Sequence, residues 1–323
     1  MKIRTGTGLY MNETAMACGW SEETGTYALA QVLNEFAAEG ADCLGVEAGI
    51  FIPPSADNTK AYAMERCIRR ACLEKGVEAV RAEIRKNPLY GIPVVMITGA
   101  GRLKADGVEA GPAKIEGTKT VSAKTECIIA DTHNRQDISE CEIVLVKWIG
   151  LEGMLRIVEE RESELRQRFA PVFLRQIRSY KKEIFAGAKL EIARTAGAVA
   201  VRQITEGGIF AALWGLAKDA GTGFDVDMKR ISILQETIEV CEHYRLNPYQ
   251  LTSAGSFLLL AQRGEALADA LRKNQTEASV IGRLAKGNDK VIHNGGDVRC
   301  LDRPAPDEIY KIYQELILNQ EVR

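Results

Sequence analysis

No stretch of this sequence is apolar for long enough to cross a membrane. Runs such as FLLLA at 257–261 fall far short of the ~20 residues a span needs. The opening MKIRTGTGLYMNETAMACGW has no continuous apolar core of the kind a secretory leader carries, so a soluble, cytoplasmic protein is expected. Neither sign of charge is in excess: 42 Lys and Arg stand against 44 Asp and Glu, spread along the chain. That balance excludes the basic footprint of a nucleic-acid-binding protein. Histidine is scarce, with three residues, and the eight cysteines form no CxxC pair. A zinc or iron–sulfur site is therefore not expected, and the cysteines are predicted to be reduced and buried.

What is present is the composition of an ordinary globular chain: 46% hydrophobic, 27% charged, net charge −2. Its 323 residues suit two domains of about 150 each. The first half alternates the two hydrophobic periods. YALAQVLNEFAAEG places Leu29, Val32, Leu33 and Phe36 at helical spacing and stops on Gly40, and DCLGVEAGIFIPP reads as a strand ended by prolines. TKAYAMERCIRRACLEKG is a second amphipathic helix with Gly76 as its stop signal. PVVMITGAG, KTECIIADT and EIVLVKWIG read as strands, and 101–122 as a loop or hairpin. Charged helices follow over LEGMLRIVEERESELRQRFA, PVFLRQIRSYKKEIF and KLEIARTAG. The last third alternates again: strands AVAVRQI, GFDVDMKRI, SFLLLAQ and ASVIGRLA are separated by helices at 208–220, LQETIEVCEHY and EALADALRKN. A terminal helix covers PDEIYKIYQELILNQ. The pattern predicts two α+β domains, 1–150 and 151–323.

Several segments carry a resemblance beyond their periodicity. EIVLVKWIGLEG is similar to a strand followed by T-G-x-I-G-x-x-G, and VRQITEGGIFAALWGLAKDAGTGFDVD to a D-P-T-R/E-G-G helix and its next strand. LNPYQLTSAGSFLLLA resembles an A-N-E-G-K-L segment, LNEFAAEGADCLGVEAGIFIPP an N-D-I-A-A-M-G-A helix and strand, and KGVEAVRAE a G-V-x-I-V-G-G segment. In this order the segments resemble the AIR synthase-like (PurM-like) superfamily, with a layout most similar to the hydrogenase maturation protein HypE. The resemblance implies a homodimer whose N-terminal domains form a β-barrel at their interface, and a C-terminal α/β sandwich. It implies ATP and Mg²⁺ held between domains by carboxylates and glycine-rich backbone, phosphoryl-transfer or maturation chemistry, and a maturation partner protein.

On that resemblance Asn34 falls on the nucleotide motif, and Glu35 and Glu83 on metal positions. Gly150, Gly153, Thr205, Glu206, Gly207 and Gly208 fall on phosphate-facing turns. Read alone, Thr205 is placed to cap the 208–220 helix, with Glu206, Gly207 and Gly208 as its first turn and an anion site at its positive end. The plainer alternative is that the glycines let helix and backbone pack closely. Gly150 and Gly153 are equally readable as an ordinary strand-to-helix turn, TSAGS at 252–256 as a turn, and Asp131 with His133 as loop residues. Departures from the family pattern weaken the chemistry. The early G-D-D-A-A-V segment has no counterpart, Arg81 and Ala82 replace two glycines, Gln203 and Ile204 replace Asp-Pro, and Ala254 replaces a glutamate. Lys147 replaces a small residue, and the chain ends LILNQEVR without a terminal cysteine. Two functions follow: a divergent protein of this family binding ATP or another phosphorylated ligand, or a non-catalytic binding or scaffold protein of the same fold.

Overall fold

The computed structural model describes residues 2–5, 8–104 and 138–314. The chain divides into two units, Met1–Glu126 and Cys127–Arg323. The first holds strands β1 (Lys2–Thr5), β2 (Gly8–Cys18), β3 (Ala41–Ile52), β4 (Glu78–Lys86) and β5 (Val94–Leu103), with helices α1 (Thr24–Ala38) and α2 (Asn58–Lys75). Its sheet runs β1-β2-β5-β3-β4, antiparallel except for the β3–β4 pair. The helix boundaries follow the sequence signals. Asp57 caps α2 by accepting from the Thr59 N–H at 3.0 Å, and Gly76 ends it in the left-handed region at φ 69°.

Helix α1 lies on one face of this sheet, with Phe36 and Val32 over the side-chain-free positions Gly99 and Gly101. The opposite face carries the cross-strand row Met16, Met96, Gly49 and Glu83. Met16 there is 62% exposed. The short alternation in β2 and β4 is diluted by Thr, Ala, Glu and Arg, which hid both strands from the hydrophobic pattern.

The second unit is built on a seven-stranded sheet in the order β12-β11-β8-β10-β6-β9-β7. Its strands are β6 (Glu142–Val146), β7 (Ala200–Gln203), β8 (Gly223–Asp227), β9 (Phe257–Ala261), β10 (Ala278–Ala285), β11 (Lys290–Asn294) and β12 (Asp297–Cys300). Its helices include α3 (Leu151–Glu160), α4 (Glu162–Arg168), α5 (Pro171–Ser179), α6 (Gly187–Thr195), α7 (Gly208–Ala220), α8 (Gln235–His243) and α9 (Gly264–Lys273). Ile143, Leu145, Leu258 and Leu260 join Ile209, Leu213 and Leu216 of α7 in one core. The alternate residues Val144, Val146 and Leu259 point to the other face and are equally buried, so these strands are covered on both sides. That is why IVLV and FLLLA are continuous apolar runs rather than alternating ones.

Strand β6 hydrogen-bonds between β9 and β10 in the middle of the second unit's sheet. Two expectations change. The single charged helix expected after Leu151 breaks at Arg161, which ends α3 and starts α4 at φ −119°. Cys300 is exposed rather than buried, lying on the edge strand β12. The strand expected at KTECIIADT, with Asp131 and His133, lies outside the described residues, as does most of the loop at 101–122.

Candidate functional site

The residues singled out in the first unit do not converge. Asn34 is buried in α1, and Glu35 follows it on the same helix. Glu83 lies on the edge strand β4, in the cross-strand row on the face opposite α1. Its carboxylate is already engaged, with Arg85 at 2.6 Å and Arg81 at 3.7 Å. The hydrogen bond from Arg85 holds the Glu83 carboxyl below the usual carboxylate range. Glu35 and Glu83 thus stand on opposite faces, and among the described residues no group of three or more His, Cys, Asp or Glu is placed to hold a metal ion.

The two glycine turns of the second unit are close-packed, and the N–H groups of Gly150, Gly153, Gly207 and Gly208 all have acceptors within the chain. Helix α7 begins at Gly208, and its N-cap is Gly207 at φ 80° with no side-chain cap. Thr205 therefore does not cap it; its carbonyl accepts from the Gly208 N–H at 3.0 Å. A Cβ on Gly208 would stand 2.5 Å from the Tyr249 carbonyl oxygen and 2.8 Å from the Leu251 nitrogen, so the glycine is there for backbone-on-backbone packing. Glu206 is exposed and accepts from the Tyr310 hydroxyl at 2.8 Å.

The Gly207 N–H, the group expected to face a phosphate, donates to Asp307 Oδ2 at 2.7 Å. Asp307 Oδ1 accepts from the Ile309 N–H at 2.9 Å. Asp307 is 3% exposed, and burial pushes its carboxyl up to about 6 against the lowering pull of these two N–H groups. A carboxylate from the chain's own C-terminal segment thus occupies the positive end of α7.

The second turn repeats this arrangement. Gly150, at φ 69°, is the N-cap of α3, and its N–H donates to Ser253 Oγ at 2.6 Å. A Cβ on Gly153 would stand 2.6 Å from Leu251 Cδ1. Between them Glu152 is fully buried, and its Oε2 accepts from Thr252 Oγ1 at 2.7 Å and from the Ala254 N–H at 3.0 Å. Arg156, one turn on, meets Glu152 Oε1 at 3.1 Å, donates from Nε to the Tyr313 hydroxyl at 3.1 Å, and lies over that ring. The TSAGS loop is thereby fixed to a carboxylate of the chain. Lys147, 1% exposed at φ 64°, is paired with Glu183 at 3.0 Å, and burial lowers its ammonium to about 7.

Glu152, Arg156 and Asp307 are the residues that sequence reading missed. The first two had a signal, because they place charge at i, i+4 within the apolar stripe of Leu151, Met154, Leu155 and Val158. Asp307 had none: it lies 100 residues from its partner Gly207.

Comparison with known proteins agrees with this architecture. Residues 140–294 match the family model of the AIR synthase related protein, C-terminal domain. Among solved structures, the HypE–HypF complex aligns at 18% identity over 94% of this chain and 91% of that one, with a TM-score of 0.63. HypE in complex with ATP aligns at 16% identity over 95% and 88%, TM-score 0.63. AaThiL complexed with AMPPCP and TMP aligns at 14% over 92% and 86%, TM-score 0.61. No curated protein matches the sequence. Residues 140–294 of the chain thus match an AIR synthase related C-terminal domain, and its fold is like that of the HypE and AaThiL structures.

Proposed function

We propose that this protein binds ATP or another phosphorylated ligand on its AIR synthase-like fold without processing it. The ligand half of this reading is supported by likeness over both units to HypE in complex with ATP and to AaThiL complexed with AMPPCP. The observation that carries the other half is the pair of internal carboxylates. Asp307 and Glu152 hold the Gly207 amide and the 252–254 donors, and Arg85 holds Glu83. Phosphoryl transfer needs free, preorganised donors and a metal at the developing charge. Donors already satisfied by the chain itself supply neither.

A second reading, ATP-dependent maturation or phosphoryl-transfer chemistry with Mg²⁺ and a partner protein, is favoured by the likeness to the HypE–HypF complex. A cytoplasmic homodimer belongs to both readings, and the open sheet face around Met16 and Met96 supports it. Sedimentation would then return twice the 35.5 kDa chain mass. Calorimetry with ATP and Mg²⁺ should show saturable binding below about 1 mM. ATP hydrolysis in the same solution should stay at the uncatalysed rate. Absence of heat at millimolar ATP overturns the ligand half. Turnover that disappears in Glu35→Gln and Glu83→Gln overturns the non-catalytic half and selects the second reading.

A further inference from the structure

A cavity of about 200 Å³ lies within the second unit, beside the first turn of α7. Four pieces build it: Phe210 of α7, the loop bearing Asn247 and Gln250, Ile292 of β11, and the chain from Arg299 at the end of β12 to Pro304. Its walls are pinned before any ligand arrives. The Leu301 N–H donates to the Lys290 carbonyl at 2.6 Å, holding the β12 exit against β11. On the other side the Asn247 N–H donates to Glu308 Oε2 and the Glu308 N–H to the Gln250 carbonyl, each at 3.2 Å. The Phe210 ring is stacked on Tyr249, with centroids 5.4 Å apart and planes 10° off parallel. Pro304 and Pro306 stiffen the exit segment.

The lining is chemically two-sided. Phe210 and Ile292 are core residues that offer the cavity an apolar floor. Arg299 and Arg303 lie at its exposed rim, and neither forms an ion pair among the described residues. Asp302 offsets one of the two charges, leaving the lining with a net positive charge. The carboxamides of Asn247 and Gln250 add neutral donors and acceptors. Two unpaired guanidinium groups beside an apolar floor suit a planar or tetrahedral oxyanion attached to a short apolar body.

Size then narrows the class. Sites for drug-sized ligands run from about 300 to 1,000 Å³, so the cavity suits a smaller ligand. The geometry points to a binding site here for a small organic phosphate or carboxylate. Its oxyanion head meets Arg299 and Arg303, and its body lies over Phe210 and Ile292. Cys300, exposed in the same wall, reports on occupancy.

The test uses the full chain and phenyl phosphate, which joins an oxyanion to a flat apolar body. Calorimetry should show one site per chain, and the Arg299→Ala, Arg303→Ala double variant should weaken it by about tenfold or more. Because both arginines are exposed, that variant keeps the wild-type melting curve. Benzoate and phenol are run alongside to rank carboxylate, phosphate and uncharged heads, and phenol should not bind. In parallel, iodoacetamide alkylation of Cys300 is followed by peptide mass spectrometry. At four times its Kd, phenyl phosphate should slow alkylation about fivefold, following 1 + [L]/Kd. No binding of phenyl phosphate or benzoate at about 10 mM overturns the proposal. So does binding that survives the double variant unchanged, or binding that leaves Cys300 alkylation at its free rate.

Discussion

Replacing Arg156 by leucine should destabilise the second unit by roughly 3 kcal/mol or more, as expected when one member of a buried ion pair is removed. Glu152 is fully buried, and Arg156 is the cation that meets it. Without Arg156 the Thr252 hydroxyl and the Ala254 N–H remain on the carboxylate, but neither neutralises its charge. The Tyr313 hydroxyl loses its donor at the same time. Urea unfolding of the full chain measures the loss. Glu152→Gln combined with Arg156→Leu should recover part of it, because the stranded charge is gone. A loss under about 1 kcal/mol would mean that Glu152 is solvated in solution.

Gly208→Ala carries the second large effect, and it separates packing from backbone strain. Gly208 and Gly221 have nearly the same left-handed φ, 65° and 66°. A left-handed conformation costs an alanine about 1–2 kcal/mol at either position. Only Gly208 also faces backbone: Tyr249 and Leu251 atoms stand within 3 Å of the added Cβ, whereas nothing lies within 4 Å at Gly221. Overpacking adds about 1–3 kcal/mol, so Gly208→Ala should cost about 2 kcal/mol more than Gly221→Ala. Equal losses in urea would show that Gly208 is not held by packing, and would return the turn to a ligand role.

The elements most legible in the sequence were those whose local signal and tertiary role agree. TKAYAMERCIRRACLEKG gives α2 with its stop at Gly76, and ASVIGRLA gives β10 residue for residue. FLLLA was read as a strand, and burial on both sheet faces explains why it shows no alternation. The exposed hairpin strand β12, DVRC, has no apolar side to reveal it, and all four of its residues are exposed. Site residues were legible only as positions. Gly150 and Gly207 are the N-caps of α3 and α7, and Gly153 and Gly208 lie in the first turns of those helices. What fills those turns depends on pairings across about a hundred residues, Glu152 with Thr252 and Gly207 with Asp307, for which one sequence holds no local signal.

Asp307 accepts from the Gly207 amide at the positive end of α7. Nuclear magnetic resonance of the glycine-¹⁵N-labelled protein observes that amide directly. The Gly207 N–H resonance should shift with a midpoint near pH 6 as Asp307 ionises, since burial pushes that carboxyl up to about 6. The titration should vanish in Asp307→Asn, and the wild-type resonance should not move when millimolar phosphate or ATP is added at pH 7.5. A Gly207 amide that ignores pH but shifts on adding phosphate would contradict the account.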